Sequence, residues 1–200
     1  MSGLAIWALS VELHCCGGRY ERFDSWLEST KTYGGLVPWL FMPDDLKQQV
    51  IHYLRTHNTM TLATCANEVP WAATVFYASE EWKLYFFSVP QSRHCQNLAV
   101  NARVAVTVQE DYKDWRRIKG IQLEGKALLV DSTLEKSKAM AVYARKYPEV
   151  IKLFTTPGSG VFYQAFLKVK FYCVVPEKIY FIDNEQGFGK RQELELTEQA

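Results

Sequence analysis

Residues 88–98 of this chain read SVPQSRHCQNL, and this segment guides the interpretation of the rest of the sequence. It follows a strand-like run, residues 82–87, and leads into a short helix-like run that includes Leu98. Ser92 suits the N-cap of that helix, whose first N–H groups lack partners within the helix and favour an anion. Arg93 adds a planar set of donors that fits phosphate oxygens. The segment predicts a strand, a turn and a phosphate-binding helix start, although most Ser-Arg helix starts are only caps with a solvated charge.

The composition excludes several classes of protein. Hydrophobic residues make up 48% of the 200 residues and aromatic residues 14%, which is enough to build a folded core. The 23 Lys and Arg residues nearly balance the 22 Asp and Glu residues, so the net charge is +1. Nucleic-acid binders show a basic face, and this near balance argues against that class. No apolar run is long enough to span a membrane, so we expect neither a nucleic acid nor a membrane as partner.

The cysteines predict the compartment. The five cysteines form neither an even set, as in a disulfide framework, nor a Cys-x-x-Cys pair, as in a zinc site. We therefore expect a reducing, cytoplasmic location and no metal. Cys95 is expected to be a small buried side chain, although a positive neighbour that lowers its pKa would make it a reactive thiol.

The chain divides by pattern into three parts. Residues 1–41 show no clear period, and we expect an N-terminal extension that is disordered or that arises from an upstream start codon. An amphipathic helix is expected from Met42, because apolar residues recur there every three or four positions. The folded domain is therefore expected to span residues 42–190, and residues 191–200 form a polar tail.

Most of the domain has the pattern of β-strands. Apolar and β-branched runs separated by short turns predict antiparallel strands, and Gly120 and Gly125 predict bends or bulges within a long one. A helix that Ser132 opens and Pro148 ends is expected before the last strands. Six or seven antiparallel strands with a few helices predict an α+β fold, mainly β, that closes into a small barrel. The expected strands are residues 59–65, 70–78, 82–88, 103–109, 118–130, 162–175 and 178–183.

The order of these segments resembles the FMN-binding split barrels related to pyridoxamine 5'-phosphate oxidase. The similarity covers residues 43–190. Each motif by itself is weakly specific, but the order and spacing of the motifs together are fairly specific. It implies a six- to seven-stranded antiparallel split β-barrel and a homodimer with FMN at the subunit interface. The matching segments are residues 61–64 (TLAT), 70–77 (PWAATVFY), 84–88 (LYFFS), 92–94 (SRH), 97–98 (NL), 101–105 (NARVA) and 122–125 (QLEG).

The resemblance also implies which residues would bind FMN. The isoalloxazine ring would lie along the second strand, the phosphate and ribityl chain at the helix start, and a fifth-strand side chain would reach the ring edge. The glycine-rich segment 184–191 is expected either as a solvated loop or as a cap over the flavin from the partner subunit. The resemblance implies Thr74, Val75, Phe76 and Tyr77 for the ring, and Ser88, Ser92, Arg93 and His94 for the phosphate and ribityl chain. It implies Gln122 for the ring edge and Lys190 for the cap.

Two departures separate this chain from the true oxidases. His94 stands where the family often has lysine, so the charge there depends on pH. The arginine-containing ending with which true pyridoxamine phosphate oxidases grip their substrate is also missing. We therefore expect a separate bacterial subgroup and do not assign vitamin B6 oxidation.

No acid–base constellation is evident, so the chemistry would come from a cofactor and no catalytic residue is assigned. The expected function is that of an FMN-dependent oxidoreductase, which moves hydride or electrons between a reduced nicotinamide or other donor and an unknown acceptor. Its substrate pocket would include Trp71 and Tyr77. Three alternatives stay open: a haem-binding barrel with His94 or His57 as ligand, a non-enzymatic flavin-binding protein, and a deazaflavin in place of FMN.

Overall fold

A helix opens the described part of the chain, which comprises residues 43–155, 160, 163–164 and 167–196 of the computed structural model. Helix α1 (Pro43–Thr56) buries Val50, Tyr53 and Leu54, because side chains three and four positions apart share one helical face. The predicted extension and the predicted domain start at Met42 lie outside the described residues. No helix within these ranges is both long and apolar enough to cross a membrane.

Antiparallel strands form a single sheet in the described ranges. The strands are β1 (Thr59–Ala66), β2 (Val69–Phe76), β3 (Ala78–Glu80), β4 (Lys83–Ser88), β5 (Arg103–Gln109), β6 (Lys119–Leu129), β7 (Lys170–Asp183) and β8 (Arg191–Leu194). The helices that follow α1 are α2 (Arg93–Val100), α3 (Thr133–Lys146) and α4 (Pro148–Thr155), with a 3-10 turn at Trp115–Arg117.

The sheet curls into a split barrel. Its strand order is β2-β1-β5-β6-β7-β4-β3, and β8 pairs with the second half of β7. The two end strands, β2 and β3, are joined by the single residue Tyr77, so the two ends of the sheet must lie side by side. The predicted α+β fold, a split antiparallel β-barrel, is confirmed.

Alternate strand residues fill the barrel. Because successive side chains point to opposite faces, β1 buries Met60 and Leu62 while β5 buries Val104, Val106 and Val108. Leu98 of α2 and the buried face of α1 belong to the same core cluster. Helix α2 is thereby fixed against the barrel, which matters because its first turn carries the candidate site.

Helix α3 covers the seam between β2 and β3. The Tyr143 hydroxyl donates to the Phe76 carbonyl at 2.6 Å, and the Tyr147 hydroxyl donates to the Tyr77 carbonyl at 2.8 Å. The Lys146 amine donates to the His57 carbonyl, and burial lowers the pKa of this amine to about 8. These donors satisfy backbone carbonyls where sheet pairing is interrupted, and buried carbonyls need such partners.

The prediction for the last strands is wrong in one respect and confirmed in another. Residues 167–168 form a turn and β7 begins at Lys170, so the expected strand over 162–175 starts too early. The expected break before residue 178 is a bulge within one continuous strand. Glu124 pairs with Lys178 and Gly125 with Pro176, which leaves Glu177 as the extra residue. The predicted irregularity at Gly125 is therefore confirmed, and it explains how β7 tolerates Pro176.

Strands β3 and β8, helix α4 and the 3-10 turn were not predicted. Strands β3 and β8 have three and four residues, too few for an alternating pattern to show. Pro148 ends α3, as expected, but it also begins α4, because proline suits the first position of a helix.

Candidate functional site

The candidate site lies where β4 ends and α2 begins. Ser88 is the last residue of β4, and a tight turn follows in which the Ser92 N–H donates to the Val89 carbonyl at 3.0 Å. Ser92 occupies the N-cap with extended backbone angles, as predicted, but its hydroxyl does not cap the helix. The Ser92 hydroxyl is directed instead toward Ser88 and His94.

Three polar side chains converge at this point. His94 Nε2 lies 2.8 Å from Ser88 Oγ and 3.1 Å from Ser92 Oγ, and the two hydroxyl oxygens are 3.2 Å apart. The His94 residue is only 9% exposed, so its ring is held in place by the surrounding core. The structure therefore brings together three of the four residues that were predicted to hold a phosphate.

The helix start adds a positive end. The first intrahelical hydrogen bond runs from the Gln96 N–H to the Ser92 carbonyl, so the N–H groups before Gln96 have no acceptor within the helix. No acidic residue lies in the first turn to offset the partial positive charge of the helix end. Two hydroxyls, an imidazole and free N–H groups form a donor set that fits an anion with several oxygens.

Arg93, the fourth predicted phosphate residue, is held on an aromatic ring. Its guanidinium carbon lies 4.3 Å from the centre of the Trp71 ring of β2, within the range of a cation–π interaction. The Arg93 side chain has no carboxylate partner within the described ranges. Its positive charge is therefore free to meet an anion at the helix start.

Buried polar side chains tie α2 to the barrel wall. Asn97 Nδ2 donates to Thr64 Oγ1 at 3.0 Å, and the Thr64 hydroxyl donates to the Trp71 carbonyl at 3.4 Å. Both Asn97 and Thr64 are buried. Since a buried polar group without a partner is costly, this chain of hydrogen bonds fixes the position of α2 relative to β2.

The thiol of Cys95 lies next to the same cluster and is only 4% exposed, which confirms the prediction of a buried side chain. Burial by itself would raise the pKa of the Cys95 thiol. Hydrogen bonds from His94, Ser92, Tyr172 and Ser88 outweigh burial and lower this pKa to about 7. The lowered pKa favours the thiolate form of Cys95 relative to that of an ordinary cysteine.

The residues of β2 that were predicted to line a flavin ring separate onto different surfaces. Thr74 and Phe76 point to the outer, exposed face of this edge strand, and Val75 packs against the core. Tyr77 is completely buried, and its hydroxyl donates to the Leu54 carbonyl at 2.8 Å. Tyr77 therefore contributes no side-chain surface to a ring site or to a substrate pocket.

Gln122 belongs to the outer face as well. The register places Thr74, Thr61, Thr107 and Gln122 opposite one another in a row across β2, β1, β5 and β6, and such partners project to the same side of a sheet. The Gln122 side-chain oxygen accepts from Arg191 Nε at 3.1 Å. The basic pair at residues 190–191 was the only sequence signal for this contact.

The C-terminal loop carries Lys190, an exposed side chain without an ion-pair partner in the described ranges. Phe188 of this loop packs edge-on against Trp115, with ring centres 5.1 Å apart. Asn184 Nδ2 donates to the Trp115 carbonyl at 2.7 Å and ties the two loops together. Lys190 is adjacent to Arg191, which contacts Gln122, so Lys190 lies near the outer face of the sheet. It does not lie beside the cluster of Ser88, Ser92 and His94 in the same chain.

The two histidines that were considered as haem ligands are both engaged. His57 Nδ1 lies 2.8 Å from the Tyr53 carbonyl oxygen, and His57 Nε2 lies 2.9 Å from Glu110 Oε1. His94 Nε2 is held by two serine hydroxyls. An axial haem ligand needs a ring nitrogen that faces the iron, so His57 or His94 would first have to give up one of these contacts.

A curled antiparallel barrel, with a polar helix start after β4, defines the class of split-barrel proteins. The chain belongs to the pyridoxamine 5'-phosphate oxidase family, whose model matches residues 46–183. A UPF0306 protein of Photorhabdus laumondii is 29% identical over 146 residues, which cover 72% of this chain and 92% of that protein. The prediction of a subgroup apart from the true oxidases is confirmed by these relatives.

Solved structures of low sequence identity share the fold. A proposed pyridoxamine 5'-phosphate oxidase from Listeria innocua has a TM-score of 0.54 at 17% identity, over 68% of this chain and 98% of that one. A heme binding protein from Mycobacterium smegmatis also has a TM-score of 0.54, at 18% identity over 70% of this chain and 55% of that one. These similarities establish the architecture of the barrel.

Proposed function

We propose that the chain binds FMN and works as an FMN-dependent oxidoreductase. The observation that carries this proposal is the convergence of Ser88, Ser92 and His94 on one point at the start of α2, beside Arg93. Their donors fit a dianionic phosphate. When bound, FMN would supply two-electron redox chemistry between a reduced nicotinamide or other donor and an acceptor.

The protein's own residues would bind and orient the cofactor. A phosphate would take over the hydrogen bonds that Ser88, Ser92 and His94 now make to one another, and Arg93 would neutralise part of its charge. The free edge of β2 offers unpaired N–H and C=O groups, which suit the polar edge of a flavin ring. Thr74, Val75 and Phe76 are proposed to line that edge, although the Phe76 carbonyl already accepts from the Tyr143 hydroxyl and is not one of the open acceptors.

The proposal includes a homodimer. Within one protomer the phosphate residues gather at α2, while Thr74, Gln122 and Lys190 belong to or border the outer face. A cofactor that contacts both groups of residues would bridge two copies of the chain. Its phosphate would bind at α2 of one copy, and its ring would meet the outer face and the Lys190 loop of the other. The exposed Phe76 and Ala72 on this face suit burial against a partner.

The first test is the visible spectrum of the purified protein, recorded again after excess FMN is added and unbound ligand is removed by desalting. A retained flavin spectrum supports the proposal, and oxidation of reduced nicotinamides then separates an enzyme from a non-enzymatic flavin-binding protein. A Soret band, as expected of a haem binder, would overturn the FMN assignment. A protein that retains no FMN would do the same.

Replacing Arg93 tests the position of the phosphate. Charge-assisted hydrogen bonds contribute about 1.5–3 kcal/mol, so Arg93→Ala should weaken FMN binding by about tenfold or more. Riboflavin, which lacks the phosphate, should bind both proteins alike. Arg103→Ala is the matched control, because this exposed arginine of β5 is paired with Glu177 at 3.1 Å, outside the site. Equal FMN affinity in the Arg93 variant and wild type would contradict the placement.

A further inference from the structure

Arg93 is an exposed side chain, and a long flexible side chain loses conformational freedom when it binds a ligand. In the structure its guanidinium already contacts the Trp71 ring, with the guanidinium carbon 4.3 Å from the ring centre. Trp71 is 40% exposed, so one part of its ring faces solvent and another supports Arg93. The ring therefore restricts where the guanidinium can lie before any anion arrives.

The position of Trp71 is itself fixed from within the barrel. Its carbonyl accepts from Thr64, which in turn accepts from Asn97 of α2. Asn97 and Arg93 are four residues apart on the same face of α2. Two residues of this helical face are therefore linked to Trp71. Asn97 is linked to the Trp71 carbonyl through Thr64, and Arg93 contacts the Trp71 ring directly.

We infer that Trp71 is a positioning residue that restrains the Arg93 guanidinium for a phosphate bound at the helix start, and that it contributes to selectivity for a phosphorylated ligand. This inference rests on the proposed function. It gives Trp71 a role different from the one expected from the sequence, where the ring was assigned to a substrate pocket. A pocket residue would contact the isoalloxazine ring, which FMN and riboflavin share, whereas a residue that acts through Arg93 affects only the phosphate.

The expected effect is selective and modest in size. A cation–π contact at an exposed site contributes about 0.5–1 kcal/mol, so Trp71→Ala should weaken FMN binding roughly two- to fivefold. Riboflavin binding should stay unchanged. Trp71→Phe keeps an aromatic face under the guanidinium and should retain most of the wild-type affinity for FMN.

The experiment is a double-mutant cycle on Trp71 and Arg93, with the dissociation constants of FMN and riboflavin measured by quenching of flavin fluorescence. If Trp71 acts through Arg93, Trp71→Ala should change neither constant in a protein that already carries Arg93→Ala. The cycle therefore separates positioning from a general loss of structure. Urea unfolding of each variant checks that the barrel is intact.

Trp82 offers a matched control. The Lys47 amine lies 5.6 Å from the centre of its ring, but Trp82 sits in the β3–β4 turn at the far end of β4 from Ser88. Trp82→Phe should leave both dissociation constants unchanged.

Two results overturn the inference alone while the proposed function stands. The first is equal weakening of FMN and riboflavin by Trp71→Ala, and the second is a further loss of FMN affinity when Trp71→Ala is added to Arg93→Ala. If the wild-type protein binds no FMN, the proposed function fails and the inference fails with it.

Discussion

Replacing Gly125 with alanine tests the bulge between β6 and β7. A Cβ at this position would lie 2.2 Å from the Val175 carbonyl oxygen and 2.9 Å from the Pro176 Cα. Both are backbone atoms of the neighbouring strand, so no side-chain rotation can relieve the clash and the strands must separate. Overpacking costs about 1–3 kcal/mol, occasionally more, and we expect the upper end here because the contacts are rigid. For a chain of this size about 3 kcal/mol corresponds to a fall in Tm of about 6–12 °C.

Gly120, also in β6, provides the control for this prediction. A Cβ there would meet the Val108 carbonyl oxygen at 3.1 Å and Gln109 Cβ at 3.5 Å, which a small shift can relieve. Gly120→Ala should therefore change the free energy of unfolding by less than about 1 kcal/mol. Urea unfolding followed by tryptophan fluorescence measures both variants, and the slope m shows whether the comparison is two-state. The steric argument is refuted if Gly125→Ala matches the stability of wild type, or if both variants lose the same amount.

Three further predictions concern titratable and buried polar groups. The ultraviolet thiolate absorbance that wild type shows and Cys95→Ser lacks should rise with pH around a midpoint near 7, and a midpoint near 9 would contradict the lowered pKa of this buried thiol. The pKa of Lys146 is lowered to about 8 from 10.5, so between these values the unfolded state binds more protons and this residue makes stability rise with pH. The stability of wild type minus that of Lys146→Met should accordingly grow from pH 8 to pH 9.5, and a constant difference would contradict the assignment. Asn97→Ala should cost about 1–3 kcal/mol in urea unfolding because it removes a partner of buried Thr64, whereas a loss below about 0.5 kcal/mol would mean that water replaces the amide.

Much of the fold was predictable because the signals are local. Strand β5 was predicted with its observed bounds, Arg103–Gln109, since its buried residues alternate with exposed ones. The helix start at Ser92 was predicted from its capping residue and from the apolar positions that follow. The glycine at the bulge was also visible, because glycine within a strand marks an irregular or crowded position.

The errors arise where distant parts of the chain decide the outcome. Pro176 and Glu177 looked like a turn between two strands, but pairing with β6 carries β7 through them as a bulge. Tyr77 was assigned to the flavin ring and to a substrate pocket, yet it is completely buried in the core with α1, where its hydroxyl donates to the Leu54 carbonyl. No short-range pattern contains that information.

The local part of the candidate site was predicted from the sequence, and its long-range contacts were not. Ser88, Ser92 and His94 lie within seven residues of one another in a single motif, and the structure brings them together. The contacts of Arg93 with Trp71 and of Gln122 with Arg191 join residues far apart in the sequence. The first contact depends on how α2 packs against β2 and the second on the pairing of β8 with β7, and no local pattern in the sequence shows either.

The pairing of β4 also determines when the site can form during protein synthesis. Residues 84–88 of β4 pair with residues 170–174 of β7, whereas its nearby partner β3 supplies only a three-residue ladder. At roughly 5–20 residues per second, a ribosome exposes α2 several seconds before it completes β7. Until then β4 lacks most of its sheet pairing, so the nascent chain would not hold the cluster of Ser88, Ser92 and His94 against the barrel. Binding of the proposed ligand at α2 would therefore require the finished chain and would not guide the folding of the growing one.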